Sequence, residues 1–186
     1  SSLEYNSNVG FKEGFISLKF NSIPVLFDLD KNLSGLDYTI FRSDNSVNFS
    51  KLVPNNFKKR ISGFSKSSFQ LTIPSLIKGR NVKEAFIQVS SDLTGTKINL
   101  PSPLYKGVDD PLPLSFQYYP PINQNYSKLQ FRYGDIFRGK FNIVDKSLQG
   151  FIIAGKKKQT ISIGSKKISL IGTISELDLS LFSLLE

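Results

Sequence analysis

The chain has 186 residues, enough for one domain with its own core, and it carries 24 Lys and Arg against 15 Asp and Glu, a formal charge of +9. It contains no cysteine, histidine, tryptophan or methionine. Disulfides, thiolate metal sites, the usual zinc sites and histidine-based catalytic triads are therefore excluded.

No stretch reaches the roughly 18 consecutive apolar residues of a membrane span. The opening residues, SSLEYNSNVGFKEG, are too polar for a secretory signal. With no initiating methionine, the sequence is expected to be a piece of a longer chain or a processed product. The positive charge invites phosphate, on nucleic acid or lipid head groups, but a Lys/Asn/Ser-rich composition with solvated lysines is the favoured explanation.

In chain order the dominant period is two. In EGFISLKFNS, Phe15, Ser17 and Lys19 alternate with Ile16, Leu18 and Phe20. The polar run 30–35 and RSDNS at 42–46 read as turns. A short helix is expected near Pro54–Arg60, closed by Gly63, with Lys58, Lys59 and Arg60 at its C-terminal end. In SSFQLTIPS, Phe69, Leu71 and Ile73 oppose Gln70 and Thr72. In EAFIQVSS, Ala85, Ile87 and Val89 oppose Phe86, Gln88 and Ser90.

A turn ends at Gly95. A strand over 96–100 then stops at Pro101 and Pro103, which have no N–H to donate to a ladder. Residues 100–125 hold most of the nine prolines and read as a connection. KLQFRYGD then sets Leu129, Phe131 and Tyr133 against Gln130 and Arg132, with a turn over 132–139. Phe141 and Ile143, Ile161 and Ile163, and Ile168 and Leu170 continue the alternation. At the end, Asp178 N-caps a short helix with apolar Leu181, Phe182, Leu184 and Leu185.

About ten to twelve short strands follow, in an antiparallel sheet with one apolar face. The expected organisation is one β-rich segment: a strand run over about 1–100, a Pro-rich connection over 101–125, and a second run over 126–186. On composition alone, a closed β-sandwich or barrel is the default way to bury the apolar face, and an open groove is the minority choice.

Motifs for chemistry are scarce. No glycine cradle for nucleotides is present. Asp109 and Asp110, beside Pro111, read as exposed turn residues rather than a general acid/base pair. A Ser–Lys dyad carries little weight because both residues are abundant. The basic clusters Lys58–Arg60, Lys156–Lys158 and Lys166–Lys167 read as solvated turns. The competing reading is a basic rim for phosphates. No catalytic function and no cofactor are expected.

The segment SDLTGTKINLPSPLYKGVDDPLPL resembles the pattern S-D-L-x-G-x-x-x-x-L-P-x-P-L-x-K, with an acidic linker and P-L-x-L, of the YhdP branch of the AsmA-like bacterial envelope proteins. The matching positions are Ser91, Asp92, Leu93, Gly95, Leu100, Pro101, Pro103, Leu104, Lys106, Pro111 and Leu112. The similarity spans about 53–185. Tyr105 stands where that family usually has glycine, and Phe69 and Phe182 where it usually has tryptophan.

The resemblance implies an antiparallel, strongly curved sheet, a section of a β half-pipe with one or two short helices. It implies a periplasm-spanning, inner-membrane-anchored protein whose apolar groove carries phospholipid between the inner and outer membranes and supports the outer-membrane barrier. Partners would be phospholipid acyl chains, neighbouring β segments of the same chain and, through other parts of the protein, the two membranes. No nucleic acid is expected.

The candidate groove residues on the apolar alternations are Ile87, Val89, Ile98, Leu100, Leu129, Phe131, Phe141, Ile143, Ile161 and Ile163. Two rival classes stay open: a closed β-sandwich serving as a structural or interaction module, and a basic polyanion-binding β domain.

Overall fold

The computed structural model describes residues 2–6, 10–20, 23–31, 34, 37–74, 84–122, 124–155 and 168–174. Thirteen strands and almost no helix lie among them: β1 (Ser2–Asn6), β2 (Gly10–Phe20), β3 (Ile23–Leu29), β4 (Tyr38–Val47), β5 (Ile61–Gly63), β6 (Ser65–Pro74), β7 (Phe86–Ser91), β8 (Thr96–Ile98), β9 (Leu114–Tyr119), β10 (Ser127–Tyr133), β11 (Phe137–Val144), β12 (Ser147–Ala154) and β13 (Ile168–Gly172). Eleven of them form one open sheet, neither closed nor strongly curled, in the order β1-β2-β3-β4-β6-β7-β9-β10-β11-β12-β13. These strands build neither the closed sandwich nor the strong curvature expected of a half-pipe.

Only β5 and β8 leave that order, and they pair with each other. The reason is local. β6 begins and β7 ends at the same end of their antiparallel ladder, where Ser67 faces Ser91. The two chains bend there and go on as a second antiparallel pair, Ile61 opposite Ile98 and Gly63 opposite Thr96. Gly63 and Gly95 make the bend, both at φ +90°. A Cβ on Gly63 would lie 2.1 Å from the Gly95 carbonyl oxygen, and one on Gly95 2.3 Å from that of Phe64. Only glycine tolerates both the φ and the approach.

The β5–β8 pair acts as a lid. Phe49, from a 3₁₀ turn at Phe49–Lys51, packs with Leu93 and Ile98 into one cluster with Val25, Phe27, Phe41, Val47, Phe69 and Tyr133 of the main sheet. Leu100, Leu104, Leu112 and Ile136 pack against this core. Burial of such side chains contributes on the order of 1.5–3 kcal/mol each and is the main stabilising term. Inside the bend the Ser65 and Thr96 hydroxyls, both buried, bond each other at 2.6 Å.

Several expectations need correction. RSDNS at 42–46 is not a turn but the middle of β4, with Asp44 opposite Ser68 and Asn45 opposite Ser67. Strand preference depends on the neighbouring strands, and β6 and the aromatic Phe41 hold this polar stretch extended. The strand expected over 96–100 is shorter and lies in the lid rather than the main sheet.

The connection read over 101–125 contains β9, whose LSFQYY alternates between flanking proline pairs. The sheet is mixed rather than antiparallel, because β12 and β13 run parallel. A parallel neighbour needs a crossover of a dozen or more residues, and the 13 positions between 154 and 168 supply that length. The expected helix near Pro54–Arg60 is a single turn, α1 (Asn55–Lys58), with Pro54 as its N-cap. The expected C-terminal helix lies outside the described residues.

Candidate functional site

Strand alternation and register decide which side chains share a face. One row across the main sheet runs Phe41, Leu71, Ile87, Tyr118, Leu129, Phe141 and Gly150. The next runs Phe69, Val89, Phe116, Phe131, Gly139 and Ile152. Ile87, Val89, Leu129, Phe131 and Phe141 thus lie together on the apolar face, and Ile143, opposite Leu148 and Ser127, is on the same side.

Two other candidates are placed elsewhere. Ile98 is in β8 and Leu100 just beyond it, both packed in the lid core rather than on the main sheet. The turn at Gly95 marks a new strand in the sequence, but the alternation of Ile98 and Leu100 does not encode which sheet that strand joins. Ile161 and Ile163 lie outside the described residues. Phe116, Tyr118 and Ile152 complete the rows and were missed. Their signal was legible in the LSFQYY and FIIA alternation.

The two halves of this face differ. Around β3–β7, Val25, Phe27 and Phe41 are fully buried. Across β9–β13, Phe116, Tyr118, Leu148, Ile168 and Leu170 are 36% to 61% exposed. The floor of this second half is flat and aromatic. Phe131 and Phe141 stack with ring centroids 6.1 Å apart and planes 6° apart, and Phe116 adjoins Phe131 at 6.3 Å. The flatness follows from two glycines facing these rings. A Cβ on Gly139 would sit 2.3 Å from the Phe131 ring, and one on Gly150 2.8 Å from that of Phe141. Rings that lie across a strand glycine recover packing the missing side chain cannot supply.

The segment that carries the family resemblance builds the lid and its return. Ser91 Oγ donates to the Lys66 carbonyl (2.8 Å) and accepts from the Leu93 N–H (3.1 Å). Asp92 Oδ1 accepts from the Thr94 N–H (3.0 Å), and the Asp92 carbonyl accepts from the Leu112 N–H (2.7 Å). Leu93, with φ +57°, is buried in the core. Pro101 and Pro103 bracket a turn in which the Leu104 N–H bonds the Pro101 carbonyl, and the Ser102–Pro103 bond is cis.

Lys106 is buried, and its ammonium donates to the carbonyls of Thr96 (2.8 Å) and Gly107 (2.7 Å). Burial pushes its pKa below the usual lysine value, while the nearby carboxylates of Asp110, Asp92 and Asp109 pull it back up. Tyr133 latches the lid: its O–H donates to the Leu104 carbonyl at 2.9 Å, and burial pushes the phenol up to about 12.

Asp110 accepts the Gly107 N–H in a turn and is exposed, as is Asp109. No group of three or more residues able to hold a metal ion occurs among the described residues. Lys58 and Lys59 are exposed at the end of α1, whereas Lys156–Lys158 and Lys166–Lys167 lie outside the described residues. No described helix is long and apolar enough to cross a membrane. Comparison with known proteins returned no matching family model, no matching curated protein and no matching solved structure.

Proposed function

We propose that this chain is a non-catalytic section of an AsmA-like, periplasm-spanning protein, and that its apolar sheet face carries phospholipid acyl chains between the inner and outer membranes. The observation that carries the reading is the pair of apolar rows running across consecutive strands, whose β9–β13 half is partly open to solvent at Phe116, Tyr118, Ile168 and Leu170 while Phe141 is buried. An acyl chain leaving a bilayer loses about 0.8 kcal/mol per CH₂ exposed to water. A row of side chains perpendicular to the strands lowers that cost at each step without holding the chain at one point. The lid stands along one rim, and the groove is that face beside the lid.

Anchoring in the inner membrane and delivery to the outer membrane would fall to other parts of the protein. Other β segments of the same chain would continue the sheet. The sandwich alternative is disfavoured by the open sheet, and the polyanion alternative is weakened where Arg42, Lys128 and Arg132 pair with Asp30, Glu84 and Asp135.

Binding of a fluorescent phospholipid to the purified chain tests the proposal. Ile143→Glu places a charge on the apolar side and should weaken binding about tenfold or more, by the cost of an unpaired charge on an apolar surface. Equal binding by Ile143→Glu and the parent chain would count against the groove.

A further inference from the structure

The opposite face of the same strands carries a second, polar order. Asp44, Ser68, Ser90, Ser115, Arg132 and Arg138 stand in one row, one residue per strand from β4 to β11. Beside it runs an amide row, Gln70, Gln88, Gln117 and Gln130, again one per strand. Above the hydroxyl row lies an open trough of about 830 Å³, which Ser46, Lys66 and Asp92 also line. From Asp44 to Arg132 is four inter-strand steps of about 4.8 Å, about 19 Å in all.

Two features decide what chemistry fits. The charged groups lining the trough are two acids, Asp44 and Asp92, and two bases, Lys66 and Arg132, so the trough itself is balanced in charge, with Arg138 beyond its end. Its remaining polar side chains are serine hydroxyls and the Asn45 amide, which both donate and accept, beside apolar Pro113 and Leu114. The glutamines of the adjoining row are held in place. Gln117 Nε2 donates to Gln88 Oε1 at 2.7 Å, the Tyr119 O–H donates to Gln117 Oε1 at 3.4 Å, and Gln70 Nε2 donates to Thr72 Oγ1 at 3.1 Å. Next to the amide row, Phe86 and Tyr119 form a tilted aromatic pair, 5.5 Å between centroids.

We infer that this face binds a neutral, linear glycan laid across the strands, with roughly one sugar unit to each strand step. Hydroxyls and carboxylates of the trough would pair with sugar hydroxyls. The amide row would favour sugars bearing acetamido groups. The aromatic pair offers an apolar surface to a ring face. Because the site uses the face away from the apolar rows, it stands or falls separately from the lipid reading.

The test is titration of the 186-residue chain with chitin hexasaccharide, followed by amide chemical shifts, with heparin as the polyanionic control. Saturable binding is expected, indifferent to added salt and not displaced by heparin. The double variant Gln88→Ala/Gln117→Ala should weaken it about tenfold or more, and Asp44→Asn should weaken it without changing the melting temperature. Phe131→Ala, on the other face, should leave it unchanged. Absence of saturable binding at millimolar probe would overturn the inference. So would binding that salt abolishes and heparin captures, or equal binding by the Gln88/Gln117 variant.

Discussion

Tyr133 gives the sharpest handle on the lid. Its phenol is buried, donates to the Leu104 carbonyl and titrates near 12 instead of 10. Tyr133→Phe keeps the ring and removes the bond, which should cost about 1 kcal/mol near neutral pH. The alkaline range separates the variants further. Between pH 10 and 12 the unfolded chain has lost the Tyr133 proton while the folded chain keeps it. Stability contributed by this group therefore falls as pH rises. The full loss is about 2.7 kcal/mol for two units, and about 1.4 kcal/mol is already gone at pH 11.

The parent should accordingly be the more stable protein at pH 8, and the two should cross near pH 11. Urea unfolding of both proteins from pH 8 to 11.5 measures this directly. Lys106, shifted down by burial, and Tyr119, shifted up by burial, are common to both proteins and cancel in the difference. Parallel stability curves over the whole range would refute the claim that a buried, latched phenol ties the lid to the sheet.

Other consequences can be measured on the same chain. Gly95→Ala forces a side chain into φ +90° and against the Phe64 carbonyl, and should destabilise by about 3 kcal/mol in urea unfolding. Lys106→Met leaves the Thr96 and Gly107 carbonyls without their donor and should cost about 1–3 kcal/mol near pH 7. Because the folded chain releases the Lys106 proton before the unfolded one, the parent's Lys106 contribution improves as pH rises towards 10.5, and Lys106→Met should lack that rise. Gly139→Val should push the Phe131 ring off the sheet, which near-UV circular dichroism and a lowered melting temperature would register.

The strands most legible in the sequence were those with a strict apolar/polar period, such as β6, β7 and β10, because one face of each meets the core. Three features were harder to read, each for a physical reason. The polar middle of β4 has turn composition but is held extended by ten residue pairs with β6. β9 is short and fenced by prolines, so its alternation was outweighed by its neighbours. The departure of β8 from the main sheet depends on φ +90° at Gly63 and Gly95, a backbone property that side-chain period does not encode. The segment at 91–106 was recognisable as a motif. That it forms a lid, with Lys106 buried on two carbonyls, follows only from tertiary contacts.

Lipid is expected to meet the apolar face and not the polar one. Photocrosslinking amino acids at Phe131 and Ile143, on the apolar side, and at Gln130 and Arg132, on the polar side, can be compared within the parent protein in cells. Phospholipid adducts are expected at Phe131 and Ile143 and none at Gln130 and Arg132. Adducts on the polar side alone, or on neither, would contradict this expectation.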